Sequence, residues 1–315
     1  MAQTPEGSLA GAEHAFEHGV DLGRPGQRRA LGWALGVNAA LLVVEIAGGI
    51  IFGSLALLAD AAHLVSDVAG LGIAVGALTL MARPISRSHS FGLARAEVMA
   101  AQVSALLLVG SGAWIIVAGV ARLHEPVHVN SGGLVAVAAL GLLVNAGSAV
   151  VVHRARGKSL NMRASVAHLA TDAAGSLAAI LAGVAIWAWG WLAADAVASV
   201  GTAVLVLWAG WGLIRESTHV LMEGTPRGLE PNAVRAAVCQ VAGVVDVHHL
   251  HLWNLASDVP TCSAHIVLAG HPSLHAAQAV AAQVREELAA QFALTHVTLE
   301  LEESTTAEPP APAAT

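Results

Sequence analysis

The chain alternates long apolar stretches with short polar breaks between residues 31 and 214. A helix that crosses a bilayer needs about 20 predominantly apolar residues. Segments of that length predict six transmembrane helices, at about 31–53, 57–82, 98–121, 131–153, 164–188 and 193–214. Turn-forming and charged residues fill the breaks, as at Gly53-Ser54, Arg83-Pro84 and Glu125-Pro126.

Beyond residue 216 the pattern changes to that of a small soluble domain. Helical periodicity covers 231–242 and 273–291, and strand patterns cover 245–255, 261–268 and 296–302. The order helix-strand-strand-helix-strand predicts an α+β ferredoxin-like domain. We therefore expect an N-terminal segment at 1–29, a six-helix transmembrane domain at 30–215, an α+β domain at 216–303 and a disordered, Pro/Ala/Thr-rich tail at 304–315.

Composition and charge agree with a membrane protein. Hydrophobic residues make up 56% and charged residues 12%, and the mean hydropathy is +0.66, whereas a soluble domain is about a quarter charged. The net charge of -7 without a dense basic patch excludes nucleic acid as a partner. Basic residues cluster before the first helix, between the second and third, between the fourth and fifth, and after the sixth. The positive-inside rule then predicts that both termini are cytoplasmic, and we expect a multi-pass protein of a bacterial-type inner membrane.

Two predicted membrane helices carry the same pair of ionisable residues. His63 and Asp67 lie four residues apart in the second helix, and His168 and Asp172 lie four apart in the fifth. That spacing puts each pair on one helix face. A charge at the centre of a membrane helix costs about 2.5–3.5 kcal/mol, so intramembrane ionisable residues indicate a functional site.

The residue types in these pairs favour a transition-metal ion. Two imidazoles and two carboxylates complete a tetrahedral zinc site. Imidazole also suits cobalt, nickel and copper, whereas oxygen ligands alone suit magnesium, calcium or manganese. Imidazole exchanges protons near neutral pH, and a metal ion must displace protons from its ligands. One site can therefore hold either metal or protons, which predicts a metal/proton antiporter.

Two other patterns that could bind zinc lack the structural context that they require. HEPVH at 124–128 matches a zinc-protease motif, but Pro126 breaks the helix that would put both histidines on one face. Cys239 and Cys262 form no CxxC pair, which argues against a zinc ribbon. Three alternatives stay open: an exporter of cobalt, nickel, cadmium or iron, a membrane-anchored metal sensor, and an intramembrane metallohydrolase. The hydrolase would need a general base that both pairs lack, so we expect no enzyme activity.

Several motifs resemble the cation diffusion facilitators, in particular their zinc-exporter-like branch. The runs that carry the resemblance are GSLALLADAAHLVSD at 53–67, Phe91-Gly92 with Arg95-Ala96-Glu97, LNMRASVAHLATD at 160–172, VHHLHLWNL at 247–255, SAH at 263–265 and HVTLELE at 296–302. The resemblance implies a Y-shaped homodimer that exports zinc from the cytoplasm in exchange for protons. It assigns the transport site to His63, Asp67, His168 and Asp172.

The resemblance also implies that the α+β domain dimerises and binds regulatory zinc through His248, His265 and Glu302, with Glu300 beside them. Strand alternation by itself places His248 and His251 on opposite faces. A further family site between helices 2 and 3 is incomplete, because Ser86 and Leu93 stand where ligands would accompany His89. His14 and His18 share i, i+4 spacing in the N-terminal segment, which fits either a solvated flexible tail, the reading we favour, or a capture site for cytoplasmic zinc.

Overall fold

A computed structural model describes residues 25–51, 55–83, 86–124, 131–155, 159–191 and 193–304. The chain divides into two compact units, Met1–Ile214 and Arg215–Thr315. His14, His18, residues 125–130 of the HEPVH region and the tail beyond 304 lie outside the described residues, so the predictions made for them stay predictions.

The first unit is built from long helices. In the described part of the chain these are α1 (Pro25–Ile51), α2 (Leu55–Met81), α3 (Ala96–His124), α4 (Ser131–Arg154), α5 (Leu160–Trp189) and α6 (Ala194–Leu221). Within them, Ala96–Ala121, Leu160–Trp189 and Ala196–Leu221 are long and apolar enough to cross a bilayer, and α2 and α4 contain shorter apolar stretches.

Among the helix boundaries that differ from the prediction, two have clear physical reasons. α5 begins at Leu160 because the Ser159 side chain accepts a hydrogen bond from the Met162 N–H at 3.2 Å, which caps the helix. The predicted end of the sixth helix at 214 is wrong, since α6 continues to Leu221. Apolarity ends at Arg215, but a helix needs only its backbone hydrogen bonds to continue.

The surface of the first unit differs from that of a soluble protein. Trp187 and Trp208 are 80% and 79% exposed, whereas Asn38 and Asn161 are completely buried. The Asn38 amide donates to the Ala34 carbonyl at 2.9 Å and lies 3.4 Å from the Ser148 hydroxyl of α4. An apolar exposed surface, with polar side chains turned inward between helices, is the arrangement that a lipid environment favours.

Glycines let α3 and α6 approach closely. A Cβ atom at Gly210 would lie 2.7 Å from Val109 Cγ2, and one at Gly119 would lie 2.7 Å from Val200 Cγ2. Such distances leave no room for a side chain. Small residues at membrane helix contacts bring backbones together and increase van der Waals packing.

The second unit contains a three-stranded sheet, and its elements follow the predicted order. They are α7 (Pro231–Cys239), β1 (Val244–Ala256), β2 (Val259–Leu268), α8 (Leu274–Phe292) and β3 (His296–Glu303). β1 pairs antiparallel with β2, and β2 pairs parallel with β3. Both helices contribute to one apolar core against the sheet, which includes Val234, Val238, Ile266, Val284 and Leu288.

An ion pair joins α7 to the start of β1. Arg235 Nη2 lies 2.6 Å from Asp246 Oδ1, and Arg235 Nε donates to the Val247 carbonyl at 3.0 Å. Burial opposes ionisation of Asp246. The backbone N–H of Val247 and the guanidinium nevertheless hold the pKa of this carboxyl below its usual value.

A bulge in β1 overturns the prediction from strand alternation. Val247 and Leu252 both enter the core although they are five residues apart, which a regular strand does not allow. The pairing register shifts between His248 and His251, and His249 has a left-handed backbone with φ 48°. With one extra residue inserted, His248 and His251 occupy the same face of the sheet, opposite the core.

Candidate metal sites

The facing sides of α2 and α5 bring three predicted ligands together. His168 Nε2 lies 2.9 Å from Asp67 Oδ1 and 3.8 Å from Asp172 Oδ2, and all three side chains are almost fully buried. One ligand atom from each residue lies within 4.8 Å of the others. Two ligand atoms about 2.0–2.1 Å from a tetrahedral zinc ion are about 3.3 Å apart. The two measured distances fall on either side of that value, and we call Asp67, His168 and Asp172 the membrane cluster.

His63, the fourth predicted ligand, lies one turn before Asp67 on α2. Its side chain is outside the described part of the structure. An i, i+4 relation keeps two side chains on one helix face, so the backbone of α2 is compatible with a fourth ligand on the side of the membrane cluster.

A second polar contact fixes α2 against α5. The Asn161 amide donates to the Ala74 carbonyl at 3.0 Å, and Asn161 is completely buried. Asn161 lies seven residues before His168, and Ala74 lies seven residues after Asp67. The two helices are therefore antiparallel along this seam, and the two contacts are separated by two helical turns, about 10.5 Å. The sequence motif contained Asn161, but only the structure shows that it contacts α2.

A small cavity of about 10 Å³ adjoins the membrane cluster. It is lined by Gly70, Leu71, Ser104, Leu107, Ala164, Ser165 and His168. Helices α2, α3 and α5 all contribute to its walls. A space of this size holds at most about one water-sized group beside His168.

The second predicted set of ligands meets on the exposed face of the sheet. Glu302 bridges two histidines: its Oε2 lies 3.0 Å from His248 Nε2, and its Oε1 lies 2.7 Å from His265 Nδ1. Pairing of the strands explains this, because His248 lies opposite His265 and His265 lies opposite Glu300. We call His248, His265 and Glu302 the sheet cluster.

The electrostatics of the sheet cluster favour a cation. Hydrogen bonds from His265 and then from His248 hold the pKa of the Glu302 carboxyl below its ordinary value, against the effect of burial. Glu300 lies 3.4 Å from His265 Nε2, at the exposed edge. The ring of His248 is about nine-tenths buried, and its Nδ1 has no hydrogen-bond partner in the described structure.

The loop before α3 does not assemble a comparable set of ligands among its described residues. His89 Nδ1 lies 3.0 Å from the Ser88 hydroxyl and pairs through its backbone with Ser86. Leu93, the remaining position, has no donor atom in its side chain.

Comparison with known proteins covers nearly the whole chain. Residues 33–222 match the family model of the cation efflux transmembrane domain, and residues 226–304 match that of the cation efflux protein cytoplasmic domain.

Three characterised relatives have about a third of their residues in common with the chain. A zinc transporter of Escherichia coli, ZitB, is 35% identical over 277 residues, which is 87% of each chain. A cation efflux system protein of Alcaligenes, CzcD, is 32% identical and covers 93% of this chain and 90% of its own. A cadmium, cobalt and zinc/H(+)-K(+) antiporter of Bacillus velezensis is 32% identical over 83% of this chain and 84% of its own. The chain belongs to the cation efflux, or cation diffusion facilitator, family of integral membrane transporters.

Proposed function

We propose that this protein exports zinc from the cytoplasm in exchange for protons, with the metal ion bound by Asp67, His168, Asp172 and His63. The observation that carries the proposal is the position of His168 Nε2, which faces two carboxylates in an apolar helical unit. An uncompensated charge there is costly, whereas a divalent cation compensates both carboxylates at once.

The membrane cluster also accounts for proton exchange. In the described structure the imidazole nitrogen that faces both carboxylates is the same atom that lies within hydrogen-bonding distance, 2.9 Å, of Asp67 Oδ1. This nitrogen can carry a proton or bind a metal ion, but it cannot do both. Arrival of protons therefore releases the metal, and arrival of the metal releases protons.

Export further requires that the site open to each side of the membrane in turn. We propose six spanning helices with both termini in the cytoplasm, in a bacterial-type inner membrane, and a rocking motion of α2 and α5. The charge asymmetry of the loops and the length of α1 to α6 support this topology. No covalent step is involved.

We propose the domain limits 1–29, 30–215, 216–303 and 304–315, with the third segment as a cytoplasmic ferredoxin-like domain through which two copies form a homodimer. The change between two compact units at residue 215 and the mixed sheet support the limits and the fold. The match to the family's cytoplasmic domain, whose model is named as a dimer module, supports the assembly.

The same domain is proposed to bind regulatory zinc at the sheet cluster. Its donor set of two imidazoles and one carboxylate is typical of zinc, and the lowered pKa of Glu302 keeps the carboxylate ionised. A bound ion would lie between β1, β2 and β3, so its binding free energy would stabilise the sheet.

Flux into sealed proteoliposomes tests the transport proposal. Zinc, cobalt, nickel, cadmium and iron are supplied with and without an imposed pH gradient. Wild-type protein is expected to move zinc and to respond to the gradient, and Asp67→Ala is expected to abolish flux. Asp258→Ala, which removes an exposed carboxylate in the β1–β2 turn, is the matched control and keeps flux.

The panel also separates the alternatives. If the protein transports cobalt, nickel, cadmium or iron in preference to zinc, the proposed substrate is wrong but the proposed mechanism is unaffected. Zinc flux that ignores the pH gradient would refute proton exchange. Zinc binding without any flux would favour the membrane-anchored sensor.

A further inference from the structure

One hydroxyl group of α3 is buried near the membrane cluster without a partner. The Ser104 Oγ atom is enclosed and makes no hydrogen bond in the described structure. Other hydroxyls of the first unit behave differently, because those of Ser111, Ser165 and Thr202 each donate to a carbonyl of their own helix at 2.9 or 3.0 Å. A serine inside a helix commonly makes such a bond. A buried polar group without any hydrogen bond is costly, so we expect Ser104 to bond to a group outside its own helix.

The small cavity beside the membrane cluster has room for that group. Ser104, Ser165 and His168 all line it, and its volume is about 10 Å³. A buried water needs about that much space and makes about three hydrogen bonds. Ser165 already donates to the Asn161 carbonyl, but its oxygen can still accept a bond. The three side chains therefore offer one water a hydroxyl donor, a hydroxyl acceptor and an imidazole.

A water at this position would also serve the imidazole of His168. Its Nε2 atom faces Asp67 and Asp172, so this nitrogen is the one placed to bind the metal ion. An imidazole that binds a metal almost always donates its other ring N–H to a carboxylate, a carbonyl or a water. That bond fixes the orientation and the tautomer of the ring. The cavity brings such a partner to His168 from the side of α3.

We propose that Ser104 is a positioning residue of the transport site, which acts through one water in the cavity on the second ring nitrogen of His168. The Ser104 hydroxyl holds the water. The water holds the imidazole in the tautomer that leaves Nε2 open to the metal ion. The inference rests on the proposed transport function and deepens it, because α3 supplies none of the four proposed ligands and yet contributes to metal binding.

The test uses the full-length protein in detergent with His248→Asn, which removes the sheet cluster. Zinc affinity is measured by competition with a chelator. Ser104→Ala removes the hydroxyl, and Ser104→Thr keeps it. Ser111→Ala is the matched control, because it removes a hydroxyl from the same helix that donates to the Leu108 carbonyl. Asp67→Ala marks loss of the membrane cluster.

Ser104→Ala is expected to bind zinc about 10- to 100-fold more weakly, which is the usual effect of removing a partner of a metal ligand. Ser104→Thr should recover most of that loss, and Ser111→Ala should bind like the background protein. In proteoliposomes, Ser104→Ala should raise the zinc concentration that gives half-maximal flux and leave maximal flux unchanged, whereas a damaged fold would lower maximal flux. The melting temperature of metal-free Ser104→Ala should not fall below that of Ser111→Ala.

Unchanged zinc affinity in Ser104→Ala would overturn the proposal. An equal loss in Ser104→Thr would do the same, because the size of the side chain and not its hydroxyl would then matter. So would an equal loss in Ser111→Ala, or a lower metal-free melting temperature in Ser104→Ala than in Ser111→Ala, since Ser104 would then act through the stability of the fold.

Asp67→Ala separates this inference from the proposed function. If Asp67→Ala binds zinc like the background protein, the membrane cluster is not the zinc site, and both the proposed function and the inference fail. If Asp67→Ala loses zinc and Ser104→Ala does not, the proposed function stands and only the role of Ser104 is refuted.

Discussion

Removal of the Asn161 side chain measures how firmly α2 and α5 are held in register at the membrane cluster. Asn161→Ala deletes the hydrogen bond to the Ala74 carbonyl. This contact lies two turns, about 10.5 Å, from the pair formed by His168 and Asp67. It joins the same two helices along the seam, so its loss lets α2 and α5 slide or rotate at the metal site.

The expected loss of zinc affinity is estimated from the energy of hydrogen bonds between membrane helices. Hydrogen bonds between membrane helices contribute about 0.6 kcal/mol on average and about 1.7 kcal/mol at most. Because Asn161 is completely buried, we expect a contribution between the average and the maximum. Free energies of 0.6 to 1.7 kcal/mol correspond to about 3- to 18-fold in an equilibrium constant. If this bond preorganises the membrane cluster, Asn161→Ala should weaken zinc binding there by that factor.

The assay is a zinc competition titration of detergent-solubilised protein that carries His248→Asn, which removes the sheet cluster. Flux at zinc concentrations below saturation should fall in parallel, and flux at saturation should fall less. Thr79→Val is the matched control, because the Thr79 hydroxyl bonds only to the Val75 carbonyl of its own helix, at 2.9 Å. Equal zinc affinity in Asn161→Ala and wild type would show that the Ala74 contact does not position the metal ligands.

Three further changes test the fold around the two clusters. Gly210→Ala should destabilise the protein by about 1–3 kcal/mol through overpacking against α3, whereas Gly212→Ala, where a methyl group meets no atom within 4 Å, should not; thermal unfolding in detergent compares them. Asp246→Asn should lower the melting temperature at neutral pH. The difference in melting temperature between the two proteins should vanish as the pH falls from about 4 through the lowered pKa of Asp246. A carboxyl with a depressed pKa stabilises the fold only while it is ionised. Equal melting temperatures at neutral pH would contradict this prediction. A thiol reagent should modify the exposed Cys239 and spare Cys262, whose pKa is raised to about 11 by burial; mass spectrometry of native and unfolded protein checks the selectivity.

Elements of both units could be predicted from the sequence because the signals are local. Apolar stretches predict helices in the first unit, since a chain in lipid must satisfy its backbone polar groups internally. In the second unit, the alternation at 296–302 and the helical pattern at 273–291 correspond to β3 and α8 within one residue at each end. The end of α6 was wrong by seven residues, because apolarity and helicity separate at Arg215.

The candidate ligands of the first unit could also be predicted from local spacing, but the contacts between their helices could not. Identical i, i+4 spacing marks His63, Asp67, His168 and Asp172 as candidates, because helix geometry converts a four-residue spacing into a shared face. Distances between helices are not encoded in spacing, so the contact of Asn161 with α2 emerged only when α5 was packed antiparallel against it.

In the second unit, the pairing of strands accounts for the remaining differences between the sequence-based prediction and the structure. The family resemblance indicated His248, His265 and Glu302 as metal ligands, but the alternation rule separated His248 from His251 and did not predict the left-handed backbone at His249. The bulge decided both points, because it depends on how β1 pairs with β2 and not on β1 alone. The sequence by itself determined which residues could bind a metal ion and which elements carry them. The packing of α2 against α5 and the register of the sheet decided which of them meet, because such contacts join residues far apart in the chain.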